Sequence, residues 1–212
     1  MGPVRQVPKD ELRLHWDRVY AAHPADDLSW FQARPETSLA LIGRSRAGPH
    51  GAIVDVGGGA SLLVDALLDA GFQNLTLLDI SEVALSVAKR RLGSRAARVR
   101  WLACDVVSWK PNPAFDVWHD RAVFHFLVKA EDRAAYRAAI NAALKPGGQV
   151  VIGTFASDGP ERCSGLPVAR YEPEALAAEL GADFGLVESV HEEHQTPSGK
   201  VQRFQFSRFI RR

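Results

Sequence analysis

Three aspartates close three short apolar runs: Asp55 in "AIVDV", Asp79 in "NLTLLD" and Asp105 in "RVRWLACD"; three glycines, Gly57, Gly58 and Gly59, follow the first run. Glycine at the tip of a strand removes the Cβ that would hold a ligand away from the backbone, and a helix starting there offers unpaired amide N–H groups. A carboxylate at the end of the next run can accept from both hydroxyls of a ribose. The spacing follows D-x-G-x-G-x-G through Asp55, Gly57 and Gly59, with Ser61 in place of the last glycine. A dinucleotide fingerprint G-x-G-x-x-G would instead need glycine at Leu62, and the lysine–serine pair of a nucleotide triphosphatase is absent from this turn.

A second set of polar residues follows the fourth apolar run, in "FDVWHDRAVFHFL": His119, Asp120, Arg121 and His125. A neutral histidine can take a proton near physiological pH, and a guanidinium can grip a carboxylate or phosphate through two parallel bonds. His119, Asp120 and His125 are therefore candidate catalytic residues, and Arg121 and His125 candidate substrate contacts. Capping of a helix start by Asp120 and simple core packing of His125 are the competing readings. The long connection "TFASDGPERCSGLPVARYEPEAL" adds Thr154, Phe155, Cys163, Arg170 and Tyr171 as candidate substrate-pocket residues, with Arg170 and Tyr171 equally suited to a helix entry before Pro173. His191 and His194 lie three apart on an extended run, so they face opposite sides among acidic neighbours, and no metal site is expected.

These residues need a scaffold that brings strand ends together. From Ala52 onward, β-rich runs alternate with helical ones, "SLLVDALLDAG", "SEVALSVAKRRLG" and "EDRAAYRAAINAALKPGG", which implies an α/β, doubly wound parallel sheet covered on both faces. The pattern then changes to two extended runs, "FGLVESVHEEHQT" and "KVQRFQFSRFI", joined by "PSG" as an antiparallel hairpin. Before the sheet, "KDELRLHWDRVYAA" and "PETSLALIGRS" read as helices. We expect one domain over 1–212, with 1–50 as an N-terminal helical lid segment and 51–212 as the core.

The 26 basic and 25 acidic side chains leave a formal charge of +1, which offers no field for nucleic acid or an anionic membrane. The two cysteines, Cys104 and Cys163, lack a CxxC spacing and fit a reducing cytoplasm. The N-terminal stretch carries no continuous apolar run of the kind a secretory signal or membrane span needs. A monomer or homodimer is expected.

Taken jointly, "VDVGGGAS", "LLDIS", "ACDV" and "FDVWHDRAVFHFL", with the "LKPGG" turn of Leu144 to Gly148, resemble motifs of the class I S-adenosylmethionine-dependent methyltransferases over about 53–155. The resemblance implies a Rossmann-like seven-stranded sheet of order 3-2-1-4-5-7-6 with strand seven antiparallel. It also implies S-adenosylmethionine as cofactor and S-adenosylhomocysteine as product. In the cofactor site it implies Asp55, Gly57, Gly58 and Gly59 around the methionine moiety, Asp79 with Ile80 at the ribose, and Cys104, Asp105 and Val106 at the adenine, with His119 nearby. Trp16, Tyr20 and Trp30 would complete it as an aromatic lid, since a sulfonium is a cation that π-faces attract. Methyl transfer from a sulfonium is direct in-line displacement, so Cys163 is a pocket thiol rather than a nucleophile. "WDxxY" and "SWFQxxPxxSL" also resemble N-terminal elements of some lysine methyltransferases. A small polar or anionic acceptor is expected, with a protein lysine acceptor or a non-catalytic S-adenosylmethionine sensor as alternatives.

Overall fold

The computed structural model describes residues 9–112 and 114–212. Two helices come first, α1 (Lys9–Ala22) and α2 (Glu36–Gly43), and lead into strand β1 (Ala52–Val56). Then α3 (Leu63–Asp69), β2 (Asn74–Asp79), α4 (Glu82–Leu92), β3 (Val99–Ala103), β4 (Phe115–Arg121), α5 (Ala130–Ala143) and β5 (Leu144–Phe155) alternate along the chain. A short hairpin, β6 (Arg162–Cys163) and β7 (Leu166–Pro167), precedes α6 (Pro173–Leu180), and β8 (Phe184–Gln195) and β9 (Val201–Arg211) close the fold. The seven long strands form one sheet in the order β3-β2-β1-β4-β5-β9-β8. β1 to β5 pair in parallel, while β9 runs antiparallel to both β5 and β8. Counting the long strands alone, this is the order 3-2-1-4-5-7-6 that the resemblance implies. The β6–β7 hairpin lies within the long connection after β5 and stands apart as a small second sheet.

The central strands β1 and β2 are mostly apolar because helices cover both of their faces, and every residue of β1 is buried. On one face Ile53, Leu75 and Val117 pack with Leu63 and Leu67 of α3 and Leu85 of α4. On the other, Val54, Val150 and Ile152 meet Tyr136 and Ile140 of α5 and Leu176 of α6. Helix α4 begins where the Ser81 side chain accepts from the Ala84 N–H at 3.1 Å, and it ends with Lys89, Arg90 and Arg91 at its negative pole. The "LKPGG" turn sits at the entry to β5, where the β4 register jumps from Phe115↔Leu144 to Val117↔Gln149. All of these turns place the carboxyl ends of β1, β2, β3 and β4 along one edge of the sheet, beneath α1. No helix among the described residues is long and apolar enough to cross a membrane.

Candidate functional site

The turn after β1 is built so tightly that only glycine fits. Gly57 has φ +67, and a Cβ there would stand 2.0 Å from Val123 Cγ2. A Cβ on Gly58 would meet the Asp55 carboxylate at 2.5 Å and Leu77 at 2.8 Å. The N–H groups of Gly57 and Gly58 donate to Leu78 O at 2.7 and 3.3 Å, which ties the turn to the end of β2. Asp55 itself is 5% exposed; its Oδ1 lies 2.7 Å from His119 Nδ1, and its Oδ2 is buried without a partner.

Asp79 closes β2 with a buried carboxylate that accepts from Ser81 N–H at 2.8 Å and also from the Gly59 N–H. No cation answers it. Burial raises its pKa to about 7, and the negative charges of Asp55 and Asp17 push the same way against those two amides. From α1, the Tyr20 hydroxyl reaches down to within 2.6 Å of the point a Gly59 Cβ would occupy. Burial and the Asp79 charge hold that phenol far above its ordinary range, so it stays protonated. Asp17, one turn earlier on α1, accepts from Ser81 Oγ at 2.6 Å and so docks the lid beside Asp79.

A cavity of about 110 Å³ lies between these strand ends and the lid. Its floor and walls include Gly57, Asp79, Ile80, Cys104, Asp105 and Val106, all expected from the sequence. Asp105 turns one oxygen back to the Val107 N–H at 3.1 Å. Trp16, Tyr20 and Trp30 form the lid side: Trp16 meets Trp30 edge-on at 5.7 Å between centroids and Phe126 at 5.2 Å. Arg121 and Cys163 also line the cavity; burial pushes the Cys163 thiol up to about 12 despite the neighbouring Arg121, so it is not a thiolate at neutral pH.

Several other candidates are not brought to the cavity. His119 is 1% exposed and has both nitrogens engaged, Nδ1 by Asp55 and Nε2 by Ser38 Oγ at 2.9 Å, so it joins α2 to the sheet rather than facing a substrate. Asp120 accepts from Val123 N–H at 2.8 Å, from Phe124 N–H at 3.0 Å and from the Tyr136 hydroxyl, which makes it the anchor of the turn after β4. His125 is fully buried between Phe126 and Phe155, and burial together with the Arg121 charge lowers its pKa to about 3, so it is a neutral core histidine. Thr154 accepts from Gln205 Nε2 at 2.8 Å inside the sheet layer. Phe155 packs on Phe204, Tyr171 on Phe124, and Arg170 lies exposed against Gly159 O and Glu161.

His194 is likewise not on a solvated edge. It is 5% exposed, and its Nε2 lies 2.8 Å from Ser29 O, where it fastens the segment that carries Trp30. No group of metal-ligating side chains occurs among the described residues.

The sequence reading missed Leu12, Val123, Phe126 and Leu127, which supply apolar wall. The "FHF" run that holds Phe126 was read for its histidine. Ala122 also escaped notice: it lines the cavity with φ +71, a left-handed conformation that a non-glycine residue seldom adopts.

A methyltransferase-domain family model matches residues 53–148. Among curated proteins, the chain is similar to the eEF1A lysine and N-terminal methyltransferase of Mus musculus, 25% identical over 149 residues that make up 67% of this chain and 21% of that protein. The chain thus spans about a fifth of the length of the curated relatives it matches. Among solved structures, Burkholderia thailandensis 1,6-didemethyltoxoflavin-N1-methyltransferase, bound to 1,6-didemethyltoxoflavin and S-adenosylhomocysteine, is 25% identical with a TM-score of 0.76 over 100% of this chain and 92% of that one. A methyltransferase from Anabaena variabilis shares the fold at 14% identity, with a TM-score of 0.74 over 100% and 99% of the two chains. The chain therefore carries a methyltransferase domain over residues 53–148 and has the Rossmann-like fold of S-adenosylmethionine-dependent methyltransferases, with the strand order, glycine turn and acidic strand ends that the class I resemblance implies.

Proposed function

We propose that the chain transfers a methyl group to a small polar or anionic acceptor by direct in-line displacement. The observation that carries this reading is the lining of the cavity beside Arg121. There Trp16, Trp30, Phe126 and Cys163 close around a space suited to a compact molecule, and Arg121 is the only cation among the described lining residues. The similar toxoflavin-pathway structure, which holds a small heteroaromatic molecule beside S-adenosylhomocysteine, supports the same acceptor size.

The residues present fit the cofactor of the family. Gly57 presents bare backbone to the cavity in a turn where a Cβ on Gly57, Gly58 or Gly59 would strike Val123, Asp55 or Tyr20, Asp55 Oδ2 is a buried acceptor without a partner, and Asp79 is a carboxylate whose lining position suits the two hydroxyls of a ribose. Asp55 would then take the methionine ammonium, while Ile80, Cys104 and Val106 would border the adenine. When bound, S-adenosylmethionine supplies a methyl group on a sulfonium leaving group that needs no further activation. The chain's own part is alignment and the exclusion of water: Trp16, Tyr20 and Trp30 cover the site, and their π-faces favour a positive sulfur by about 0.5–2 kcal/mol.

The lysine alternative draws support from the curated relative and from the likeness of the N-terminal elements. It would want an acidic channel, whereas Arg121 places a cation in the lining here. The test is calorimetric titration with S-adenosylmethionine, S-adenosylhomocysteine and NAD, followed by incubation with methyl-labelled cofactor and a fractionated cell extract. Label in small molecules supports the reading, label in protein replaces it with the lysine alternative, and tight binding without label transfer leaves the sensor.

A further inference from the structure

Arginine presents two different edges. Its Nε–H and Nη2–H point the same way and match the two oxygens of a carboxylate, whereas Nη1 stands alone on the other side. The protein uses the matched edge elsewhere. Arg91 directs Nε and Nη2 onto Asp65 at 3.1 and 2.6 Å, and Arg208 does the same onto Glu188 at 2.6 Å for both nitrogens. Arg121 does not: its Nη1 donates to Trp30 O at 2.8 Å, its guanidinium lies 4.9 Å over the Phe204 ring, and both Nε and Nη2 are buried without a hydrogen-bond partner.

A buried guanidinium with an idle bidentate edge is costly unless something fills it. No neighbour among the described residues does so. Glu192 and Asp55 are near enough to act on Arg121 electrostatically, but neither forms an ion pair with it: Glu192 accepts from Gln32 Nε2 at 2.8 Å, and Asp55 Oδ1 lies 2.7 Å from His119 Nδ1. Cys163 is a protonated thiol, and His125 and His194 are held in their neutral forms in part by the same Arg121 charge. Burial lowers the arginine's own pKa only to about 10, so it remains a cation at neutral pH. The cavity it lines contains no histidine among the described residues, and its acids Asp79 and Asp105 are the ones assigned above to the cofactor.

We infer that the Nε/Nη2 edge of Arg121 is the docking point for an oxyanion carried by the methyl acceptor, a carboxylate or a phosphate. This assignment rests on the methyltransferase reading above and narrows the acceptor from polar or anionic to anionic. It also accounts for the missing base. Among the described residues, the lining side chains outside the cofactor set offer no group that takes a proton at neutral pH, so the accepting atom must arrive with a free lone pair. A fixed cation beside it favours an acceptor bound in its deprotonated form.

The test follows the melting temperature of the S-adenosylhomocysteine-loaded protein as benzoate, inorganic phosphate or neutral benzamide is added at constant ionic strength, alongside Arg121→Met and Arg121→Lys. The expected result is a rise of several degrees for wild type with benzoate or phosphate and none with benzamide. The rise should vanish in Arg121→Met and be reduced in Arg121→Lys. Without added anion, Arg121→Met should melt no lower than wild type, because it removes an unpaired buried charge. Equal anion shifts in wild type and Arg121→Met, no shift in wild type, or a destabilised Arg121→Met would each overturn the assignment.

The cofactor carries a carboxylate too. The preference of the protein for S-adenosylhomocysteine over 5′-methylthioadenosine, which lacks that carboxylate, should therefore survive Arg121→Met within a factor of about three; its collapse would move Arg121 to the cofactor's site. Wild type that binds neither nucleotide would overturn the underlying methyltransferase reading instead.

Discussion

Two aspartates at strand ends on either side of β1 divide the site into its two halves. Asp79 closes β2, Asp120 lies near the end of β4, and both are buried with pKa values raised by that burial, to about 7 and about 6. Their surroundings differ. Asp120 is fully claimed by the chain, through two backbone amides and the Tyr136 hydroxyl, which itself accepts from Trp118 Nε1 at 2.9 Å. Asp79 has local amide partners but also faces the cavity. A raised pKa therefore marks both a structural anchor and a ligand-facing carboxylate, and what separates them is whether the group lines open space.

Substitution should separate the pair in opposite ways. Asp120→Ala strands two buried N–H groups and a hydroxyl, and the expected loss is on the order of 3–5 kcal/mol of folding stability, read by urea denaturation. Asp79→Ala should leave that transition almost in place while weakening S-adenosylhomocysteine binding by about 1.5–3 kcal/mol, roughly 10- to 150-fold in Kd by calorimetry. The reverse outcome, a folding defect at Asp79 and a pure binding defect at Asp120, would invert the division of the site.

The pH dependence sharpens the same contrast. Both groups have folded pKa values above the ordinary aspartate value of 3.8. Their contribution to stability is thus fully present below about pH 4 and is lost as the pH rises through about 6 and 7. The ligand-free protein should lose stability over that window, and Asp79→Asn should remove the upper part of the slope. Ribose hydroxyls donate to the ionised carboxylate, so binding of S-adenosylhomocysteine should tighten several-fold from pH 5.5 to 7.5 in wild type and stay flat in Asp79→Asn. A parallel slope in both proteins would remove Asp79 from the cofactor contact.

The half of the site around Asp79 was legible because its elements are local. A strand, a glycine turn and a closing acid occupy a few consecutive residues, and sterics alone explain why Gly57 and Gly58 carry no side chain. The half around Asp120 was legible only as a list of polar residues. His119, Asp120 and His125 read as chemistry from the sequence because nothing there reveals that Ser38, Tyr136 or Phe155, distant along the chain, will occupy their polar atoms or cover them. The one reading that depended on register, His191 and His194 on opposite faces of β8, gave the alternation correctly. It could not show that Ser29 would come down on one of those faces.

Ala122 offers the smallest and most discriminating change. It sits at φ +71 between Arg121 and Val123, its N–H donates to Gly153 O at 2.8 Å, and the Asp120 carboxylate clamps the amides that follow. A left-handed conformation costs an L-residue about 1–2 kcal/mol, and glycine relieves it, but glycine also gives up about 0.5–1 kcal/mol by enlarging the unfolded ensemble. Ala122→Gly should therefore shift folding stability by less than about 1 kcal/mol, towards greater stability. If the strained turn serves to aim Arg121, the same substitution should loosen the guanidinium and reduce the benzoate-induced melting shift while leaving S-adenosylhomocysteine affinity within about twofold. A stabilised protein with an undiminished anion response would mean that Asp120 and Trp30 alone hold Arg121 in place, and that the strain at Ala122 only lets the chain turn out of β4 without colliding with Gly57.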